Sequence, residues 1–107
     1  MGKRYRFRYD DRLGIRLPEL DLDWEMYTET ERAEILLEWE MIRGTIPDRV
    51  KGFEELIKEK QEQLSSEENF VESCRLNAAI AELASRINDL HLWYRVNQEM
   101  GTERVHS

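Results

Sequence analysis

Arg4, Arg6 and Arg8 alternate with Tyr5, Phe7 and Tyr9 near the start of the chain. This is the one place where residue type and spacing suggest contact with nucleic acid or another phosphate ligand. Guanidinium groups pair with phosphates, and aromatic rings stack on unpaired bases. On an extended strand, however, successive side chains point to opposite faces, so arginines and rings cannot serve one ligand from one face. The competing assignment is an amphipathic strand that buries its rings and pairs its arginines with acids. Those acids are close at hand. Over 19–26, Glu19, Asp21, Asp23 and Glu25 alternate with Leu20, Leu22, Trp24 and Met26. Two such runs pair well as neighbouring strands, Arg opposite Asp or Glu. The structural assignment is therefore preferred, and Arg4, Arg6, Arg8, Tyr5 and Phe7 stand as the candidates for partner or phosphate binding.

No other constellation points to specific chemistry. Glu31, Glu34 and Glu38 have helical spacing, which is also the spacing of any solvated helix face. Helical nucleotide pyrophosphohydrolases pair Glu-x-x-Glu with a Glu-x-x-Asp segment, and no Glu-x-x-Asp partner is present in this sequence. His91 would need a Glu three residues earlier, and a second such pair, to build a di-metal carboxylate site, but position 88 is Asn. Cys74, His91 and His106 are too few for zinc. The expectation is a hydrogen-bonded, partly buried His91, with no catalytic residue, no metal and no cofactor.

The charge is unevenly distributed. Residues 1–16 hold six Arg/Lys against two Asp, whereas 17–107 hold ten Arg/Lys against twenty-one Asp/Glu, for a net charge of −7. An acidic body disfavours non-specific binding to nucleic acid or anionic membrane. The single cysteine excludes an internal disulfide and points to a reducing compartment. No apolar run has the length of a signal core or a membrane span. A cytoplasmic protein is expected, with no membrane association.

The elements that must position these residues form one domain over 1–107: an extended arm at 1–26, a helical body at 28–100 and a flexible tail at 101–107. Strands over roughly 3–9, 12–17 and 19–25, with Asp10-Asp11 as a turn and Pro18 as a break, would make a hairpin or meander. Thr28 to Glu31 is a capping box for helix one. Ile35, Leu36, Trp39 and Ile42 form its apolar stripe, widened by Ala33, Leu37 and Met41. Gly44 is placed to end it in a left-handed conformation. Helix two starts from a Thr45 cap and runs to about Leu64, and Gly52 within it suggests close packing or simple tolerance. Ser65 to Glu68 caps helix three, which runs from about Glu67 to Gln98. Its residues Leu76, Ile80, Leu83, Ile87, Leu90 and Tyr94 alternate spacings of four and three, a coiled-coil seam. Asn77 and Asn88 lie near that seam as candidate register-setting polar residues.

The expected fold is mainly α: three helices, with a long C-terminal spine and an antiparallel hairpin partner, behind a short β-element. Such a slab covers only one side of a broad apolar stripe, so a homodimer is expected to complete the bundle. Trp39, Leu76, Ile80, Leu83, Ile87, Leu90, Trp93 and Tyr94 are the self-association candidates. The functional expectation is a small non-enzymatic protein that works through an unknown protein partner as adaptor, inhibitor or regulator. Nucleic-acid or phosphate binding through the Arg/aromatic arm is the alternative.

Overall fold

The computed structural model describes residues 3–96. Strands β1 (Tyr5–Asp10) and β2 (Ile15–Leu20) form an antiparallel hairpin, followed by a short 3₁₀ turn at Trp24–Met26 and by helices α1 (Glu29–Arg43), α2 (Ile46–Ser65) and α3 (Phe70–Tyr94). The tail expected at 101–107 lies outside the described residues, as does the end of helix three near Gln98.

The hairpin turns where Asp10 and Asp11 suggest it should. The Asp10 carboxylate accepts from the Leu13 amide at 2.8 Å, and its carbonyl accepts from the Gly14 amide at 2.7 Å. Gly14 takes φ +74°, a left-handed conformation that side chains with a Cβ adopt at a cost of about 1–2 kcal/mol. A methyl group there would also collide with the Arg49 guanidinium, which donates to the Gly14 carbonyl at 3.1 Å. Gly14→Ala should therefore lower stability by at least about 1 kcal/mol in a denaturant titration.

There is no third strand among the described residues. Pro18 does not break β2 but sits inside it opposite Phe7, as a proline can in an edge strand, where its missing N–H faces away from the partner. The acidic run is therefore split. Glu19 and Leu20 finish β2, and the chain then folds under the hairpin. There the buried Tyr27 donates its hydroxyl to the Arg4 carbonyl at 2.6 Å and accepts from the Leu22 amide at 3.1 Å. Tyr5, Tyr27 and Ile35 form one small core, with Leu22 and Trp24 packed on it.

The capping box of α1 is present: Thr28 Oγ1 accepts from the Glu31 amide at 3.0 Å and Glu31 Oε1 from the Thr28 amide at 2.9 Å. Thr28→Ala should cost about 1 kcal/mol. At the other end of α1 the expectation fails. Gly44 is right-handed at φ −63°, as is Thr45 at φ −88°. The chain stays right-handed through the junction, where the Gly44 and Thr45 amides donate to the Glu40 and Ile42 carbonyls of α1 and the Arg49 amide to the Thr45 carbonyl, and the Thr45 side chain makes no cap. Its hydroxyl instead donates to the Ile42 carbonyl at 2.7 Å. Helices α1 and α2 thus form one bent rod, and the body consists of two helical runs rather than three separate ones.

α3 starts later than expected because Asn69, not the serines, is its cap, accepting from the Glu72 amide at 2.9 Å. Ser65 and Ser66 donate back to Glu62 and Gln63 carbonyls and close α2. α2 and α3 then pack as an arm, with Leu76, Leu83 and Leu90 buried at seven-residue spacing and Ile80, Ile87 and Tyr94 half-buried. Gly52 has open space around it, so tolerance explains it. Gly52→Ala should raise stability by up to about 1 kcal/mol.

The main core sits where the arm joins the hairpin. Trp39 and Ile42 of α1, Ile46 of α2 and Leu90 of α3 enclose Leu13 and Ile15 of the hairpin. Trp39 meets Trp93 edge-to-face at 5.8 Å. Arg43 ties the two helical runs together, donating to the Tyr94 carbonyl at 2.7 Å while lying 4.2 Å over the Tyr94 ring. The molecule is elongated, 59 × 31 × 19 Å, because the arm reaches beyond this core.

Candidate functional site

The arginine row of β1 is occupied within the chain. Arg6 pairs with Glu19 at 2.8 Å and Asp21 at 3.8 Å, and Arg8 pairs with Glu19 at 3.1 Å. Arg4 reaches instead to Glu31 of α1 at 3.8 Å, since no third strand brings Asp23 and Glu25 opposite it. Tyr5 is buried and donates to Glu34 at 2.9 Å, while Phe7 is half-buried between the two cores. The rings and the guanidiniums therefore do not converge on one surface. Replacing Arg4, Arg6 and Arg8 by Gln should reduce stability only slightly, because exposed ion pairs contribute about 0–1 kcal/mol each.

The most extensive polar contact is made by a residue that no local sequence pattern marks. Arg12, at the hairpin turn, donates to Glu82 at 2.9 Å, Asp89 at 2.6 Å and Ser85 at 2.8 Å. These three partners are spaced along one side of α3, so Arg12 clasps the turn onto the spine. The Arg12 guanidinium, with Arg86 beside it, holds the Glu82 carboxyl below its ordinary 4.5. The Thr28 amide does the same for Glu31 in the capping box. A folded-state pKa below the unfolded value contributes stability that is complete above pH 4.5 and lost as pH falls through the lowered value. The melting temperature should therefore fall with acidification below about pH 4.5, and fall less in Glu82→Gln.

The acids Glu31, Glu34 and Glu38 are each engaged by protein groups: Thr28, Tyr5 and Arg16 respectively. His91 is exposed rather than partly buried, on the rim of a shallow depression lined by Ile46, Pro47, Val50 and Tyr94. Cys74 is exposed. Among the described residues, no three His, Cys, Asp or Glu side chains are placed to hold a metal ion, and no helix is long and apolar enough to cross a membrane.

Of the self-association candidates, Trp39, Leu76, Leu83 and Leu90 are buried inside the chain, and Ile80, Ile87, Trp93 and Tyr94 are half-buried. The hairpin covers much of the helical stripe that seemed to need a second copy. Compared with known protein families, with curated proteins and with solved structures, the chain matches none of them.

The uncovered apolar surface lies elsewhere. Leu37 and Met41 point outward from α1 at 67% and 72% exposure, one turn apart, rather than widening its buried stripe. Met41 adjoins Tyr9 of β1, itself 56% exposed, across a shallow depression that also contains Arg16. On α3 the exposed large apolar residues are Phe70, Val71 and Leu92. Asn77 and Asn88 are also exposed on α3, away from the buried seam. Helical periodicity alone did not separate these positions from the core, because it cannot tell which side of a broad stripe the hairpin will cover.

Proposed function

We propose that this chain is a non-enzymatic, self-associating protein that acts by docking on another protein, as adaptor, inhibitor or regulator. The observation that supports this most is the Leu37–Met41–Tyr9 patch. Leu37 and Met41, one helical turn apart, and Tyr9, across a depression from Met41, are large apolar side chains at 67%, 72% and 56% exposure, in a chain that is 36% charged. Contiguous exposed apolar surface of this kind marks interaction sites in soluble proteins. Arg16 and Glu38, paired at 2.8 Å, give it the polar rim common to protein interfaces. The alternative reading, phosphate binding through β1, has less support because Arg6 and Arg8 share Glu19 and Tyr5 is buried.

The test compares proteins recovered from cell extract on the parent chain and on a Leu37→Glu, Met41→Glu variant. Both positions are exposed, so the variant should fold. A protein retained by the parent and lost by the variant is the expected result. Identical recovery on both would contradict the patch. Retention of RNA by the parent that weakens steeply between about 50 and 200 mM salt would favour the phosphate reading instead.

A further inference from the structure

Helix α3 has a second face that its own chain leaves largely open, with Arg12 of the hairpin turn touching its edge by donating to Ser85 Oγ at 2.8 Å. With 3.6 residues per turn, Phe70, Cys74, Ala81, Asn88 and Leu92 fall on one side of the helix, with Asn77, Ala78, Ala84 and Ser85 beside them, within about a third of its circumference. All of these residues are exposed. None is charged, although Glu72, Arg75, Glu82, Arg86 and Asp89 occur in the same stretch. Every one of the charges falls on the remaining two-thirds. A solvated helix face in so highly charged a chain would carry Glu and Lys, as the outer face of α2 does.

The order of residues on this face says what fits it. Read outward from Ala81, the two halves mirror each other: Ala78 against Ala84, Asn77 against Ser85, Cys74 against Asn88, and Phe70 against Leu92. Small residues occupy the middle, amide- and hydroxyl-bearing residues follow, and a large apolar residue closes each end, 81% exposed at Phe70 and 54% at Leu92. A surface with this symmetry is complementary to itself when the second helix runs the opposite way.

We propose that two copies of this chain pair through the outer face of α3, antiparallel, about a two-fold axis at Ala81. This rests on the self-association in the proposed function and names the surface that carries it. Alanines at the axis let the helices approach to the close end of the usual 8–10 Å range. Phe70 of each copy then covers Leu92 of the other. The flanking charges do not oppose this arrangement. Arg75, whose side chain is 75% exposed, pairs with Glu72 at 3.4 Å, and Asp89 pairs with Arg12 at 2.6 Å within each chain. Glu82 approaches its own symmetry mate, but Arg12 and Arg86 already neutralise it within each chain, at 2.9 and 3.3 Å. The buried seam of Leu76, Leu83 and Leu90 stays on the opposite side, against α2.

Cysteine cross-linking tests the geometry. In the antiparallel pair, facing Cα atoms at the axis lie roughly 4–6 Å apart, within disulfide reach. The two native Cys74 residues are then about 21 Å apart along the helices. A Cys74→Ser, Ala81→Cys variant should therefore oxidise to a covalent dimer, while the parent chain should not. Ala81→Glu, at an exposed position, should keep its helical circular dichroism and fall to the 12.9 kDa mass of one chain. Cross-linking of the parent chain through native Cys74 would show a parallel pair, and a dimer that does not cross-link at position 81 would show a different surface; either result overturns the proposal. A dimer that Ala81→Glu leaves intact would overturn this face while leaving self-association standing. A parent chain that is monomeric at every concentration would remove both.

Discussion

Trp39→Ala should be the most damaging single substitution in the described part of the chain. Trp39 is completely buried, and it is the side chain on which α1, the hairpin and the end of α3 meet. Truncating a buried aromatic residue costs about 3–5 kcal/mol, a large fraction of the total stability of a domain this size. The variant should be partly or wholly unfolded at 37 °C by near-UV circular dichroism. Trp39→Phe should be far milder. The indole N–H of Trp39 has no hydrogen-bond acceptor, so Phe removes an unsatisfied polar group along with some volume. If Ala and Phe variants melt alike, and close to the parent, the hairpin does not close over α1 as described.

Leu83→Ala should come next, at about 2–5 kcal/mol, but its loss should be distributed differently. Leu83 is 6% exposed and lies on the arm, outside both core clusters of the body. The arm has only two helices, so each buried leucine carries a large share of its cohesion. Hydrogen exchange in the Leu83→Ala variant should accelerate along α2 and the first half of α3, and less in the hairpin, because a locally weakened unit opens first. Uniform acceleration would show that arm and body unfold as one unit. A melting temperature within a degree or two of the parent would contradict the burial of Leu83.

Local chemistry made much of this fold legible in the sequence. The Thr28–Glu31 capping box, the Asp10-Asp11 turn and the seven-residue spacing of Leu76, Leu83 and Leu90 each appear where those residues suggest. The failures share a physical cause. Gly44 is a stop signal in the sequence, but glycine permits a left-handed cap without requiring one. Packing of Ile42 and Ile46 into a common core instead holds the junction helical. Alternation over 19–25 predicts a strand, but the Tyr27 hydroxyl accepts from the Leu22 amide, and Leu22 and Trp24 are drawn into the smaller core. Tertiary contacts decided both cases, and neither local pattern contains them. The Arg12 clasp was invisible for the same reason: its partners on α3 are more than sixty residues away. The uncharged face of α3 was legible in principle. Its signal, an absence of charge, is weaker than the leucine seam on the other side of the same helix.

On the proposed function, the apolar surface this chain leaves uncovered is a surface for protein contact, beginning with its own second copy. Light scattering on the unmodified protein, over a concentration series from the low micromolar range upward at moderate salt, tests it most directly. The account expects a mass that rises to about 26 kDa, twice the 12.9 kDa of one chain, and that holds at high salt because the contact is mainly uncharged. A mass that remains at 12.9 kDa throughout the series would contradict it.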